Sequence, residues 1–374
     1  VETTRAATQA PTEAPTEAPT EESIKGINPL TGENGYSDAA DGKRPVAIMV
    51  NNLKDALPQY GIEQADIIYE VPVEGGITRL MAVYADYTAV PDVCSVRSCR
   101  YYYPLICLGM DAIYCHWGSD QTIALETLER TKIDHIDGGY EKTMFYRDPE
   151  RVGKYDSEHT GYLKGSELPA KIEEKGFRTD IGDMYKGTQF EFAQEEYVPS
   201  EMTAAEVEVK FSNAYYSTFK YNKREGAYNK LHSGKNHLDG KTKNVLRFEN
   251  VIVLQSNIHT RADGYLMDVA LDSGSGYYFS KGGGQKITWK KKTESSPIEL
   301  FDAEGNVLDK WEIPTRTEES GSKIIPDIAE SILAKMQEKG IEKSDVVGIG
   351  MGVPGPVKAD GTVIKAVNLG WGVF

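Results

Sequence analysis

The 374 residues contain no apolar run approaching the ~18 residues that a membrane-spanning helix needs. Basic residues are outnumbered by acidic ones. The formal net charge of −15 excludes nucleic-acid binding through a general basic surface, because phosphate contacts need an excess of Lys and Arg. A local basic pocket stays open. Cysteine is confined to Cys94, Cys99, Cys107 and Cys115, and no two of them form a CxxC pair, which argues against a zinc site. One or two disulfides fit an exported protein, but buried free thiols acting as small hydrophobes are the preferred reading. The sequence begins at Val1 without an initiating Met or the apolar region of a signal peptide. A removed leader, or a start inside the mature protein, is therefore expected. What is present suffices for folding. A hydrophobic content of 40% can bury a core, and the length has room for two domains and a further segment.

Residues 1–27 read as a disordered stalk. Ala10 to Glu21 is the unit Ala-Pro-Thr-Glu three times over. Pro blocks helix and sheet hydrogen bonding, Glu repels its neighbours, and nothing apolar is available to pack, so the segment is an extended, solvated spacer. Thr- and Pro-rich stalks of this kind hold a domain away from a surface.

Residues 28–187 read as a mixed α/β domain. Val46–Val50, Asp66–Val71, Leu80–Tyr84 and Ala112–Trp117 are strand-length apolar runs, and Thr122–Arg130 and Glu167–Lys175 are helical candidates. Residues 188–300 form a β-rich domain, giving an α+β chain overall. There Val207, Val209 and Phe211 alternate with polar residues, and Lys223-Arg224-Glu225-Gly226 makes a hairpin turn. Further strands are expected at Val251–Leu254, Leu266–Leu271, Tyr277–Phe279 and Ile287–Trp289. Gly282-Gly283-Gly284 reads as a turn and not a phosphate loop, since no helix follows it. Residues 301–374 are an incomplete α/β segment. It carries a helix over Pro326–Lys339, a strand over Val346–Met351 and a turn at Asp360-Gly361.

The candidate chemistry sits in the first domain. Glu74-Gly75-Gly76 allows close approach of a ligand to the backbone, and Arg79 could clamp an anion. A glycine turn with an Arg–Glu surface pair is the plain alternative. Arg97, Ser98 and Arg100 supply cations and a hydroxyl suited to a carboxylate or phosphate. His116 ends a strand, where ligands bind in α/β sheets, and could carry a proton; Ser119 and Asp120 after it are expected to cap a helix. Arg147 and Asp148 read as a fixed ion pair, and His159 as facing the same cleft as His116. No spacing specifies a Ser–His–Asp triad or a metal set, so no metal and no cofactor is expected.

Taken in order, these residues resemble the YerB-like lipoprotein family of bacteria. The matching phrases are Arg44-Pro45-Val46-Ala47, Ala65-Asp66-Ile67-Ile68-Tyr69-Glu70 and Val73-Glu74-Gly75-Gly76-Ile77-Thr78-Arg79. They continue with Val96-Arg97-Ser98, Asp111-Ala112-Ile113-Tyr114, Phe145-Tyr146-Arg147-Asp148 and Glu158-His159, and close with Thr288-Trp289-Lys290 and Ser295-Ser296-Pro297. The resemblance covers residues 28–300 and implies a two-domain extracytoplasmic lipoprotein of unestablished biochemical function, tethered through a lipidated cysteine ahead of the stalk. Cys94, Cys99 and Cys115 depart from the small or aliphatic residues expected there.

The last segment resembles the ROK (repressor, open reading frame, kinase) family of glucokinases. This resemblance rests on Phe301–Asn306, Trp311–Thr317, Gly350-Met351-Gly352-Val353-Pro354-Gly355-Pro356 and Asn368-Leu369-Gly370-Trp371. The Asp-x-Gly-Gly-Thr phosphate strand, the catalytic aspartate and the zinc-binding cysteines of that family are not in the sequence, which implies an inert piece. Both families place Phe-Asp-Ala-x-Gly-Asn here, so Phe301–Asn306 reads as shared sequence at the join of a chimeric or partial sequence.

The favoured function is a surface-tethered, noncatalytic lipoprotein binding a small molecule, envelope polymer or protein partner in a polar cleft around Glu74, Arg79, Arg97 and His116. The alternative is an envelope hydrolase using Glu74 or His116 in acid–base roles. Glucose phosphorylation ranks last.

Overall fold

In the computed structural model the apolar run at residue 46 becomes a strand buried on both faces, and the first fold is built around it. The structure describes residues 26–302 other than 39, 187–189, 191 and 193–196, and residues 313–346 other than 340, 342, 344 and 345. The described residues up to Asp302 form one compact unit, and those from Ile313 onward a second. Strand outweighs helix among them.

The chain order in the first part is β1 (Val46–Asn51), β2 (Ile67–Pro72), β3 (Thr78–Tyr84), β4 (Val93–Cys94), α1 (Tyr102–Leu108), β5 (Ile113–His116), α2 (Ile123–Thr131), β6 (His135–Asp137), β7 (Phe145–Arg147), β8 (Gly161–Leu163) and α3 (Leu168–Glu174). A mixed sheet runs β2-β3-β1-β5-β6, with β1, β5 and β6 parallel and β2 and β3 antiparallel to their neighbours. Side chains alternate across a strand. Ala47, Met49, Met81 and Val83 therefore enter a core with α1 and with Ala124 and Leu128 of α2. Val46, Ile48, Val50, Leu80 and Ala82 enter the opposite core with Leu168 and Ile172 of α3. Helices on both faces explain why β1 and β3 read as near-continuous apolar runs. All four cysteines are free and buried; burial pushes the Cys94 and Cys99 thiols up to about 12.

The β-rich part contains β9 (Met202–Thr203), β10 (Glu206–Lys210), β11 (Tyr216–Asn222), β12 (Ala227–His232), β13 (Lys235–Asn236), β14 (Arg247–Phe248), β15 (Asn250–Leu254), β16 (Ile258–Thr260), β17 (Met267–Val269), β18 (Ser273–Ser280), β19 (Gly283–Lys290) and β20 (Glu299–Asp302). One sheet is β10-β11-β12-β13 with β14 against β12; the other is β15-β18-β19-β20 with β9 against β19. The turn at residues 223–226 closes the β11–β12 hairpin with Asn222 opposite Ala227, and Gly226 takes the left-handed φ of 68° that the turn requires. Of the three consecutive glycines only Gly282 lies in the turn; Gly283 and Gly284 are paired residues of β19.

In the second unit α4 (Glu318–Gly321) precedes α5 (Ile324–Glu338), which starts two residues ahead of the expected Pro326. Arg316 reaches Asp327 in the first turn of α5 (Nε to Oδ2 2.7 Å), a favourable place for a carboxylate. The stalk repeat, the expected strand at 346–351 beyond Val346 and the turn at 360–361 lie outside the described residues.

Candidate functional site

Because β1, β5 and β6 run parallel, their carboxyl ends at Asn51, His116 and Asp137 fall on one edge of the sheet. β3 runs the other way and brings Arg79, near its start, opposite Asn51. The chain after β4 passes along the same edge. The Arg97 amide bonds to the Met49 carbonyl (3.0 Å), and the Trp117 amide bonds to the Arg97 carbonyl (3.0 Å). Topology thus gathers Glu74, Arg79, Arg97, Ser98, Arg100 and His116 at the carboxyl edge, the place where open α/β sheets bind ligands.

The residues divide into a buried floor and an open rim. In the floor, Glu74 is held by two guanidinium groups: Arg79 Nη2 lies 3.1 Å from Oε1, and Arg100 donates from Nε to Oε2 (2.9 Å) and from Nη2 to Oε1. Arg79 also donates to the Ser98 carbonyl (2.7 Å) and Arg100 to the Cys99 carbonyl (2.8 Å). The sequence suggested an Arg79–Glu74 surface pair; the pair is buried, and Arg100 joins it. Gly75 and Gly76, with φ of 73° and 69°, let the short connection fold Glu74 inward. Burial alone would raise the Glu74 carboxyl, but the Arg100 hydrogen bond and both positive charges outweigh it and hold it below its ordinary 4.5. Burial, with Arg100 and Arg97 nearby, lowers Arg79 to about 10.

The rim is an open cleft of ≈ 420 Å³ lined by Val96, Arg97, Trp117, Arg147 and residues 156–158. The Arg147 guanidinium lies 4.3 Å from the Trp117 ring centroid and donates to the Ser157 carbonyl (2.6 Å). Arg97 pairs with the half-exposed Glu158 (2.6 Å). Trp117 is fixed from behind by the edge of Phe145 (5.8 Å) and by Gly161, where a Cβ would come 3.2 Å from Trp117 Cε3. An aromatic face, two cations and two carboxylates thus meet in a solvent-filled space.

The histidines are elsewhere. His116 is fully buried, with Nδ1 donating to the Gly118 carbonyl (2.9 Å) and Nε2 3.0 Å from Nδ1 of His135. Burial drives its pKa down to about 4. His159 accepts from the Asn51 amide (3.0 Å) and is not part of the cleft lining. Arg147 and Asp148, expected to pair, go to opposite sides: Arg147 to the rim, and Asp148 inward, 3.6 Å from Arg151. Strand alternation at the end of β7 accounts for this. Asp120 caps α2 as expected, accepting from the amides of Thr122 (3.3 Å) and Ala124 (3.2 Å).

A second polar cluster was not read from the sequence. Glu70 of β2 and Lys230 of β12 form a buried ion pair (3.1 Å) between the mixed-sheet part and the β-rich part. Ser217 donates to Glu70 (2.7 Å) and accepts from Lys230 (2.8 Å), while Thr78 (2.8 Å) and Asn52 (3.1 Å) also donate to Glu70. Lys230 further donates to His237 Nδ1 (3.2 Å), whose Nε2 lies 2.8 Å from the side-chain amide oxygen Oε1 of Gln59. The signal available was a charged residue inside each of two strand patterns. Ser217 accepts from Lys230 and donates to a Glu70 carboxylate already shared with Lys230, Thr78 and Asn52, an arrangement that does not activate it as a nucleophile.

Comparison with known proteins fits this architecture. The N-terminal domain of a family described as "Protein of unknown function (DUF3048)" matches residues 30–178, and the C-terminal domain of the same family matches residues 207–310. Together these matches take in more than half of the chain, which belongs to this family. The Bacillus subtilis (strain 168) protein described as "Putative lipoprotein YerB" is 25% identical over 316 residues, covering 82% of this chain and 88% of that protein. The crystal structure of YerB from Bacillus subtilis shares the fold, with a TM-score of 0.61 at 24% identity over 74% of this chain and 90% of that one. A glucokinase of Halalkalibacterium halodurans is 41% identical over 71 residues, which are 19% of this chain and 22% of that enzyme. The chain therefore spans less than a quarter of the glucokinase.

Proposed function

We propose that this protein is an extracytoplasmic, membrane-tethered binding protein whose rim cleft takes a cell-envelope polymer bearing sugar rings and carboxylates. The observation that carries this reading is the convergence of Arg97, Arg147 and Trp117 on one open cleft. Guanidinium forks match carboxylate geometry. Asp156 and Glu158 supply acceptors for sugar hydroxyls, and the planar Arg147 guanidinium stacked on Trp117 offers a flat surface to a sugar ring. The tether is supported by the relative described as a "Putative lipoprotein" and by the Ala-Pro-Thr-Glu repeat, which suits a spacer.

Binding is favoured over hydrolysis by the state of the two acid–base candidates. Both Glu74 oxygens are engaged by arginines, and both His116 nitrogens are within hydrogen-bond distance of partners. An ionised, saturated carboxylate is a poor general acid, and a buried imidazole with a pKa of about 4 is a poor base near neutral pH.

Co-sedimentation with purified peptidoglycan sacculi tests the reading. Arg97→Ala and Arg147→Ala are each expected to weaken binding at least about tenfold, the loss of one charged contact. Each should change unfolding free energy by no more than about 1 kcal/mol, since both side chains are rim groups. Equal binding by wild type and both variants would contradict the assignment.

A further inference from the structure

The cluster joining the mixed sheet to the β-rich part carries a consequence separate from the cleft. Its members come from both sides: Asn52, Gln59, Glu70 and Thr78 on one, Ser217, Lys230, His232 and His237 on the other. All are buried apart from a small exposed part of Glu70. Lysine only donates, so His237 Nδ1 must accept from Lys230 and the ring proton must sit on Nε2, facing the Gln59 oxygen. His237 is therefore neutral by its hydrogen bonds. His232 stands directly across from Ser217 in the β11–β12 register. Its ring is 5.5 Å from that of His237 and 5.4 Å from that of Tyr215, and neither of its nitrogens has a hydrogen-bond partner of normal geometry.

We propose that this cluster is an acid-released latch, in which protonation of His232 and His237 frees the β-rich part from the mixed sheet. The charge arrangement leaves no room for either extra proton. The charged groups facing His232 are Lys230 on its own strand, Glu70 of β2 and Lys54 after β1, with the Asn52 backbone alongside; those facing His237 are Lys230 and His232. Among the described residues Glu70 is the one carboxylate facing these rings, and it is already committed to Lys230, Ser217, Thr78 and Asn52. A proton on either imidazole adds a cation beside Lys230 with no counter-charge. Burial, then Lys230, lowers both histidines, His232 to about 4.

The sign follows from linkage. A histidine whose folded pKa lies below its free value of about 6.5 favours the closed form above that value and loses this contribution as pH falls. Two such histidines raise the opening constant by up to about a hundredfold per pH unit below pH 6, and one by about tenfold.

Hydrogen exchange followed by mass spectrometry on the full chain, from pH 7.5 to 5.0 and corrected for intrinsic exchange, reads this slope. Peptides covering β2, β11 and β12 should show opening constants rising near the two-proton slope in wild type, near the one-proton slope in His232→Phe, and nearly flat in His232→Phe combined with His237→Gln. Peptides covering β1 and β5 should stay protected throughout. A slope unchanged by the substitutions overturns the proposal, and so does parallel opening of β5, which would mean global unfolding. A direct imidazole titration by NMR covers the case in which a variant fails to fold: a His232 pKa at or above 6.5 in the native protein also overturns it.

Discussion

Glu74→Ala is expected to cost about 3–5 kcal/mol of unfolding free energy, because it strands two buried guanidinium groups around one missing carboxylate. Arg79 and Arg100 both point at Glu74 from within the first unit. Their remaining bonds, to the Ser98 and Cys99 carbonyls, do not neutralise charge. Glu74→Gln keeps the shape and one acceptor, and should recover part of the loss. Urea unfolding at pH 7 measures both. The same pair has a pH signature. The folded pKa of Glu74 lies below its ordinary 4.5, so its contribution is present above that value and fades as pH falls through the folded pKa. Wild type and Glu74→Ala should therefore draw together in stability as pH falls below 4.5. A loss under 1 kcal/mol at pH 7 would mean that the arginines find other counter-charges.

Lys230→Met is expected to be comparably severe, at about 3–5 kcal/mol, because Glu70 is left ionised and buried. Combined with Glu70→Gln it should recover most of that loss, since a neutral pair of similar volume no longer needs charge compensation. The double-mutant cycle isolates the coupling between β2 and β12. Ser217, Thr78 and Asn52 stay near Glu70 in every variant, so the cycle reports chiefly on the ion pair. Additive losses would place the two groups in independent environments and would remove the basis for a latch.

The contrast between these pairs shows what a sequence carries. The strands at Val46, Leu80 and Ile113 were legible because burial on both faces leaves unbroken apolar runs. The Glu74–Arg79 pair was legible because a short glycine connection keeps both partners within one phrase. Arg100 was visible as a cation, yet nothing local says that it turns back to Glu74 instead of facing a ligand. Arg147 and Asp148 are adjacent and of opposite charge, which suggests a pair, but successive residues of a strand point to opposite faces. The Glu70–Lys230 cluster was invisible for a deeper reason. Its partners meet only when the β-rich part docks on the sheet edge, and long-range docking leaves no periodicity in either segment. The aromatic face of the rim was missed similarly, because Trp117 and Arg147 come together only where Phe145 of β7 packs edge-on against Trp117.

The central claim is that the rim cleft at the carboxyl edge is where this protein meets its ligand. Hydrogen-exchange footprinting of the chain with and without soluble peptidoglycan fragments, at pH 7.5 where the latch is closed, tests it most directly. Protection is expected at residues 93–100, 145–147 and 156–161, abolished in the Arg97→Ala, Arg147→Ala double variant. No protection, or protection confined to the β16–β17 hairpin or to β10, would contradict it.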